Sequence, residues 1–136
     1  MRRTKSPKKK RIKTSSAKAK GRELQRWTCQ QIADITGYEW GCSGSDSPIE
    51  SRPMGQHGCD VRMESHVRKL FPFTVECKRR ETWSVPEWIE HAKTNCLKET
   101  DWLLIMRRSY HPPVVVMDAE AFFRIYSEFV IKRKGG

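Results

Sequence analysis

The sequence lacks any long hydrophobic run, and its longest, residues 102–106, has five members. A membrane-spanning helix needs about 20 consecutive apolar residues, and a secretory signal needs a basic start followed directly by an apolar stretch. The chain shows neither pattern. We therefore expect no membrane partner and no secretory signal.

The sequence also lacks a C-x-x-C pair, and its five cysteines are widely spaced and odd in number. This usage predicts a reducing compartment, meaning the cytoplasm of a bacterium or phage-infected cell, or the nucleus if the host is eukaryotic. A zinc site built from His57, Cys59 and Cys42 is an alternative. Cys59 also fits the apolar face of a strand, where a thiol acts as a small hydrophobic group.

Acidic residues are absent from the first 22 positions, which hold eleven lysines and arginines. The other 16 basic residues balance the 16 acidic residues of the chain, so the net charge of +11 resides in this segment. We expect residues 1–17 to be a disordered basic arm that binds nucleic acid, followed by a folded domain over 18–136. The arm residues assigned to DNA contact are Lys8, Lys9, Lys10 and Arg11. Residues 7–13 also fit a nuclear localisation signal.

The periodic segments predict the order helix, strands, helix, strands, helix. This order is typical of an α/β fold with a mixed central β-sheet flanked by helices. The first helix is expected over residues 17–36, with Gly37 as its stop, and residues 40–48 as a mobile loop before a short strand at 49–52. Residues 58–64 and 72–78 both alternate as strands do, and they can pair as a hairpin centred near Arg68.

A second helix is expected over residues 85–98, because Ser84 and Glu87 match a capping box. Residues 102–106 and 114–117 do not alternate, which predicts strands covered on both faces. Asp118 should cap a last helix whose aromatic stripe is either core or a dimer surface.

Asp60 and Glu76 are the most informative residues, because each lies on a segment that alternates apolar and polar side chains. If residues 58–64 and 72–78 pair as a hairpin, the two carboxylates lie opposite each other with Cβ atoms ~5 Å apart. Facing carboxylates repel unless a cation neutralises them. Lys78 lies two residues after Glu76, so its side chain leaves the same face of the strand. The pattern favours metal-dependent hydrolysis of a phosphodiester.

A solvated strand face is the plain alternative for an E-x-K step. In the same way, Glu23 between Arg22 and Arg26 can be a surface carboxylate among salt bridges. The combination of Asp60, an upstream helix with Glu23 and a helix after Lys78 favours the catalytic interpretation.

Three segments carry a resemblance to a known superfamily: residues 20–24 (KGREL), 58–61 (GCDV) and 75–78 (VECK). They resemble the PD-(D/E)xK nucleases, and most closely the small Holliday junction resolvases of archaeal and phage type. The resemblance implies a restriction-endonuclease-like core and Mg²⁺, with Mn²⁺ able to substitute. It further implies a homodimer that binds branched DNA.

Roles for individual residues also follow from the resemblance. It implies that Asp60, Glu76 and the Cys77 carbonyl bind the metal, that Lys78 handles the attacking water, and that Glu23 completes the acidic cluster. DNA contacts are assigned to Arg22 and Arg52. Archaeal-type resolvases have a serine on a loop before the metal-binding aspartate, and here four serines compete for that position: Ser43, Ser45, Ser47 and Ser51.

The resulting hypothesis is a structure-selective endonuclease that resolves four-way junctions. Another nuclease of the same fold, of restriction, mismatch or end-processing type, is the first alternative. A non-catalytic basic module that binds nucleic acid is the second.

Overall fold

The structure is a computed structural model that describes residues 14–53 and 58–135. Most of the basic arm, including Lys8 to Arg11, lies outside the described residues. The described part contains helices and strands in this order: α1 (Thr14–Thr36), β1 (Trp40–Cys42), β2 (Ile49–Ser51), β3 (Val61–Met63), α2 (Ser65–Leu70), β4 (Phe73–Arg79), α3 (Val85–Thr94), β5 (Asp101–Arg107), β6 (Val114–Met117) and α4 (Ala119–Gly135). The predicted α/β class is confirmed.

The strands form two three-stranded mixed sheets, in the orders β1-β2-β3 and β4-β5-β6. In each sheet the first pair of strands is parallel and the second pair is antiparallel. The two sheets meet at Asp60, whose N–H donates to the carbonyl of Val75 at 3.1 Å.

The predicted hairpin between β3 and β4 is wrong, because helix α2 occupies the connection. Val67 is fully buried and fixes this helix against the core. The guanidinium of Arg68 also donates to the Met63 carbonyl at 2.6 Å. A tight turn is thereby replaced by a helix that separates the two strands.

Strands β4 and β5 divide the interior into two cores. Leu103 and Ile105 face α1, where they join a cluster with Leu24, Ile32 and Val75. The alternate residues of β5 face the other way and pack with Trp88 of α3, in a cluster with Leu104 and Met106. The prediction that β5 is covered on both faces is confirmed.

The same prediction holds for only half of β6. Val116 and Met117 pack against the two cores, whereas Val114 and Val115 are exposed on this strand at the edge of its sheet. Strand β6 thus offers an uncovered edge and an apolar surface.

The helix ends depart from the expected positions by a few residues. Helix α1 begins at Thr14, three residues before the predicted start, and ends as expected at Gly37, which has φ +79° and donates to Ala33. Helix α3 ends at Thr94 rather than 98. The predicted capping box at Ser84 is wrong, because the Ser84 side chain makes no capping hydrogen bond. Pro86 has no N–H, which removes one of the donors that the Ser84 hydroxyl could have accepted from.

The loop expected over residues 40–48 contains a strand instead. Trp40 begins β1 and its indole N–H donates to Gln30 on α1 at 2.7 Å. The two residues are 10 positions apart in sequence, and their hydrogen bond fixes a segment whose composition predicted mobility.

Helix α4 is capped as predicted, with the Ala121 N–H donating to the Asp118 carboxylate at 3.0 Å. Only Ala121 among its described side chains is buried. The aromatic stripe is therefore not core. Within residues 14–53 and 58–135, no helix combines the length and apolar character that a membrane crossing requires.

Candidate active site

Glu76 lies in the middle of β4, on the face turned toward α3, and is only 5 % exposed. The side-chain amide of Asn95, the residue that follows the last turn of α3, donates to its Oε1 at 2.9 Å. The end of a helix thus places one donor on a carboxylate that the sheet buries. Burial of an acid requires such a partner, since an unpaired charge is strongly disfavoured away from water.

Asp60 lies directly before β3 and contacts β4 through both its main chain and its side chain. Its N–H donates to the Val75 carbonyl, and its Oδ2 accepts the Cys77 N–H at 2.7 Å. The Cys77 N–H belongs to the residue directly after Glu76, so the two carboxyl groups lie close enough for the charge of Asp60 to act on Glu76. The structure therefore brings the two predicted acids together, although not by the hairpin from which their proximity was inferred.

The proximity of the two carboxyl groups changes their protonation. Burial, and then the charge of Asp60, raise the pKa of Glu76 to about 7, against the opposing effects of Asn95 and Lys78. Burial also raises the pKa of Asp60, although the Cys77 N–H and the charge of Lys78 favour its ionised form. Because this pKa lies near neutrality, Glu76 retains its proton in part of the molecules at neutral pH.

Lys78 follows Glu76 by two residues on β4, so both side chains leave the same face of the strand. Its ammonium charge acts on Asp60 and on Glu76 and favours their ionised forms. Asp60, Glu76 and Lys78 thus form one electrostatic unit.

Cys77 presents its main chain and its thiol to opposite environments. Its N–H binds Asp60, and in an extended strand the carbonyl of a residue lies on the same side as its N–H. Its sulfur lies 3.6 Å from the Thr28 hydroxyl of α1, where burial raises the pKa of the thiol well above its usual value. A carbonyl ligand at Cys77 fits this arrangement, and a thiolate ligand does not.

Glu23 is not brought to this pair. It is exposed on α1, about half a turn away from the buried stripe that includes Leu24 and Thr28. In the part of the chain that the structure describes, no group of three or more His, Cys, Asp or Glu side chains could hold a metal ion. The predicted acidic cluster is therefore a pair, without Glu23.

Gln25 is a buried polar residue of α1 that the sequence did not single out. It is 1 % exposed, and its side-chain oxygen accepts the Ser51 hydroxyl at 3.0 Å. Ser51 of β2 pairs with Val61 of β3, and the N–H of the following residue, Arg52, donates to the Asp60 carbonyl at 2.9 Å. Of the four candidate serines, Ser51 is thus the one beside Asp60.

A basic cleft of about 240 Å³ lies next to these residues. Arg22, Arg26 and Arg52 line it together with uncharged groups from the β1–β2 region. The charge of Arg52 also favours ionised Asp60. The structure therefore places both predicted DNA contacts, Arg22 and Arg52, on one surface near the acid pair.

The alternative zinc site gains nothing from the described residues. His57 lies outside them. Cys59 is buried, its thiol donates to the Val61 carbonyl at 3.3 Å, and burial raises its pKa. A thiol of this kind is a poor metal ligand because metal binding requires the thiolate.

The donor set fits a hard divalent cation. Two carboxylates and a backbone carbonyl are oxygen ligands, which Mg²⁺ and Mn²⁺ prefer. The raised pKa values of Asp60 and Glu76 reflect the cost of burying two negative charges side by side, and a bound cation would offset that cost.

A family model independently matches nearly the whole chain. The model described as "phage putative PDDEXK endonuclease" matches residues 16–134. No curated protein and no solved structure gave a match. The chain therefore belongs to this phage PDDEXK endonuclease family, and its membership of the PD-(D/E)xK nuclease superfamily is confirmed.

Proposed function

We propose that this member of the phage PDDEXK endonuclease family is a metal-dependent DNA endonuclease with Asp60, Glu76 and Lys78 as its catalytic residues. The observation that carries the proposal is the buried carboxyl of Glu76 next to the carboxyl of Asp60, with a lysine on the same strand face as Glu76. A nuclease of this type acts on nucleic acid, and the oxygen donors favour Mg²⁺, with Mn²⁺ as a substitute.

In the proposed mechanism, Asp60, Glu76 and the Cys77 carbonyl would hold the cation. The cation, when bound, would neutralise charge on the scissile phosphate and favour deprotonation of the attacking water. Asn95 fixes the orientation of Glu76 through the 2.9 Å hydrogen bond. The Lys78 ammonium orients the attacking water and offsets the negative charge that accumulates at the phosphate.

DNA approach is supported by the cleft that Arg22, Arg26 and Arg52 line. Phosphate contacts by arginine position a backbone without reading the bases. The basic arm adds a long-range attraction that depends on salt. We propose that these groups bind DNA by charge and shape rather than by base sequence.

We further propose that the active species is a homodimer that cuts branched DNA, with the four-way junction as its preferred substrate. Four aromatic side chains of α4 are between 46 and 69 % exposed and contact one another along the helix: Phe122, Phe123, Tyr126 and Phe129. Together they expose roughly 400 Å² per chain, about half of the ~800 Å² that each partner contributes to a standard interface. A two-fold protein matches the two symmetry-related cuts that a junction needs.

The proposal is tested by cleavage of a four-way junction, a linear duplex and a single strand, with Mg²⁺ or with a chelator. We expect Asp60→Asn, Glu76→Gln and Lys78→Ala each to lose at least about a hundredfold of the wild-type rate, while DNA binding persists. Lys98→Ala, which alters an exposed lysine in the α3–β5 connection, is the matched control and should cut normally.

Near-normal cleavage by Glu76→Gln, or undiminished cleavage in chelator, would refute the catalytic assignment. Equal cutting of junction and duplex by an active protein would leave the nuclease standing and remove the junction preference. The restriction, mismatch and end-processing alternatives would then take its place.

A further inference from the structure

The β5–β6 loop, defined as residues 108–113, begins at the carboxyl end of β5, next to the end of β4 that carries the proposed catalytic lysine. Strands β4 and β5 are parallel, and Lys78 pairs with Met106 while Arg79 pairs with Arg107. The Arg80 N–H donates to the Arg107 carbonyl at 3.2 Å, which extends the pairing to the start of the loop. Because a residue spans at most ~3.5 Å and neighbouring strands lie ~4.8 Å apart, the loop tip is within about 15 Å of Arg79.

The loop is held in one shape by hydrogen bonds at both of its ends. Ser109 donates from its N–H and its hydroxyl to the carboxylate of Glu81, at distances between 2.6 and 3.2 Å. The Arg107 side chain donates to the His111 carbonyl at 3.1 Å, and the His111 N–H donates to the Arg108 carbonyl at 3.3 Å. The residue enclosed by these contacts therefore has a defined position.

That residue is Tyr110, and it is the most exposed large hydrophobic side chain in the described ranges, at 103 %. Its φ is +63°, a conformation that a bulky residue rarely adopts and that costs about 1 to 3 kcal/mol. An exposed aromatic ring held in an unfavourable conformation contributes nothing to the core. Such an outlier, near a catalytic site, suggests a binding role.

Basic side chains surround the base of the loop. Arg79, Arg80 and Lys20 line one cavity together with Glu81. Arg79 is half-buried, and its Nη1 atom lies 3.9 Å from the Glu81 carboxylate. The side chain of Arg80 is exposed, so Arg80 is the one of the two that a phosphate can reach.

The first residue of the loop, Arg108, adds a further cation that contacts an aromatic ring. Arg108 lies over the Trp83 ring, 5.8 Å from its centre. The combination of cations and aromatic rings around residues 108–113 is typical of surfaces that bind single-stranded nucleic acid.

We propose that the β5–β6 loop binds an unpaired nucleotide beside the scissile phosphate, with Tyr110 stacked on its base and the exposed Arg80 and Arg108 against its backbone. The inference rests on the proposed nuclease function and adds a substrate class to it, namely DNA with at least one unpaired base near the cut. Stacking does not depend on base identity, because every base has an aromatic face.

The test is a binding measurement in chelator, so that cleavage does not intervene. Two labelled DNA molecules are compared by fluorescence anisotropy at fixed salt: a fully paired duplex, and the same duplex with a single unpaired 2-aminopurine. Tyr110→Ala should weaken binding of the second DNA by about 5- to 150-fold and leave binding of the paired duplex within about twofold. Quenching of 2-aminopurine fluorescence by the wild-type protein should disappear in this variant.

Two variants serve as controls. Tyr110→Phe retains the ring and should behave as wild type. His111→Ala alters an exposed neighbour in the same loop whose main chain alone makes the loop contacts, so it should also bind normally. Unchanged binding of both DNA molecules by Tyr110→Ala, or equal weakening on both, would overturn the inference.

The outcome is separable from the proposed function. If Tyr110→Ala cuts DNA with Mg²⁺ and binds the unpaired base with wild-type affinity, the loop inference is refuted and the nuclease stands. If Tyr110→Ala weakens binding of the aminopurine DNA alone, while the wild-type protein cuts no DNA with Mg²⁺, the loop inference is supported and the nuclease is refuted.

Discussion

Glu76→Gln should stabilise the cation-free protein at alkaline pH, although it removes a proposed catalytic group. In the wild-type protein the pKa of Glu76 is raised from 4.5 to about 7. A carboxyl with a raised pKa keeps its proton in the folded state while the unfolded chain has released it, so stability falls as pH rises from about 4.5 to about 7. The decrease is complete above the folded pKa.

The magnitude follows from the shift. At 1.36 kcal/mol per pKa unit, ionised Glu76 destabilises the folded state by about 3 kcal/mol above pH 7. Glutamine has no charge to bury, its oxygen can still accept from Asn95, and its amide can donate to Asp60. We therefore expect the Glu76→Gln protein to be more stable than wild type by up to about 3 kcal/mol at pH 8.5, and by less than about 1 kcal/mol at pH 5.

The assay is urea unfolding in chelator at both pH values, with thermal unfolding as a second readout. For a chain of this size, 3 kcal/mol corresponds to roughly 10 °C in Tm. Glu90→Gln is the matched control, because Glu90 is an exposed glutamate of α3 whose contact with Lys93 lies at the surface and should change stability by less than about 0.5 kcal/mol at either pH. A gain that is equal at pH 5 and pH 8.5, or a decrease at pH 8.5, would refute the reasoning.

Asn95→Ala removes a hydrogen bond that favours the ionised form of Glu76, so it should shift the acidic limb of the pH–rate profile to higher pH by about one to two units. The cleavage rate is measured against pH, and an unshifted profile would show that Asn95 does not lower the pKa of Glu76. Deleting residues 1–13 removes eight basic residues. The slope of log affinity for DNA against log salt should flatten by up to ~0.9 for each phosphate that the arm no longer neutralises, while the circular dichroism spectrum keeps its helical signal. An unchanged slope would favour the interpretation of residues 7–13 as a nuclear localisation signal. Phe123→Asp on the exposed face of α4 should convert a dimer to a monomer in light scattering without unfolding it, and a wild-type protein that is already monomeric with DNA would refute the dimer.

The sequence predicted best where the pattern is long and local. The alternation around Asp60 and Glu76 indicated the correct buried faces, since Val61 and Val75 are both core residues. The connection between the two strands was misread because α2 has six residues, too few to show a helical period. The proximity of the acids survives that error, because it depends on the contact between the main chain of Asp60 and β4 rather than on a hairpin.

The supporting residues could not be predicted, because their roles depend on contacts across the fold. Asn95 reaches Glu76 over 19 residues, and Ser51 reaches Gln25 over 26. Nothing local distinguishes either from a surface residue. Glu23 is different, since the helical period of Leu24 and Thr28 already placed it on the outer face. In that case the resemblance to a family motif outweighed a correct physical signal.

Asp60 has two roles that the choice of substitution can separate. Its N–H and its carboxylate connect the β1-β2-β3 sheet to β4, through Val75 and Cys77. Asp60→Ala would leave the Cys77 N–H without its charged acceptor, and such a change destabilises a fold by about 1.5 to 3 kcal/mol. Asp60→Asn keeps an acceptor oxygen and removes only the charge. An inactive Asp60→Ala protein is therefore ambiguous between disrupted structure and disrupted chemistry, whereas an inactive but stable Asp60→Asn protein isolates the proposed metal ligand.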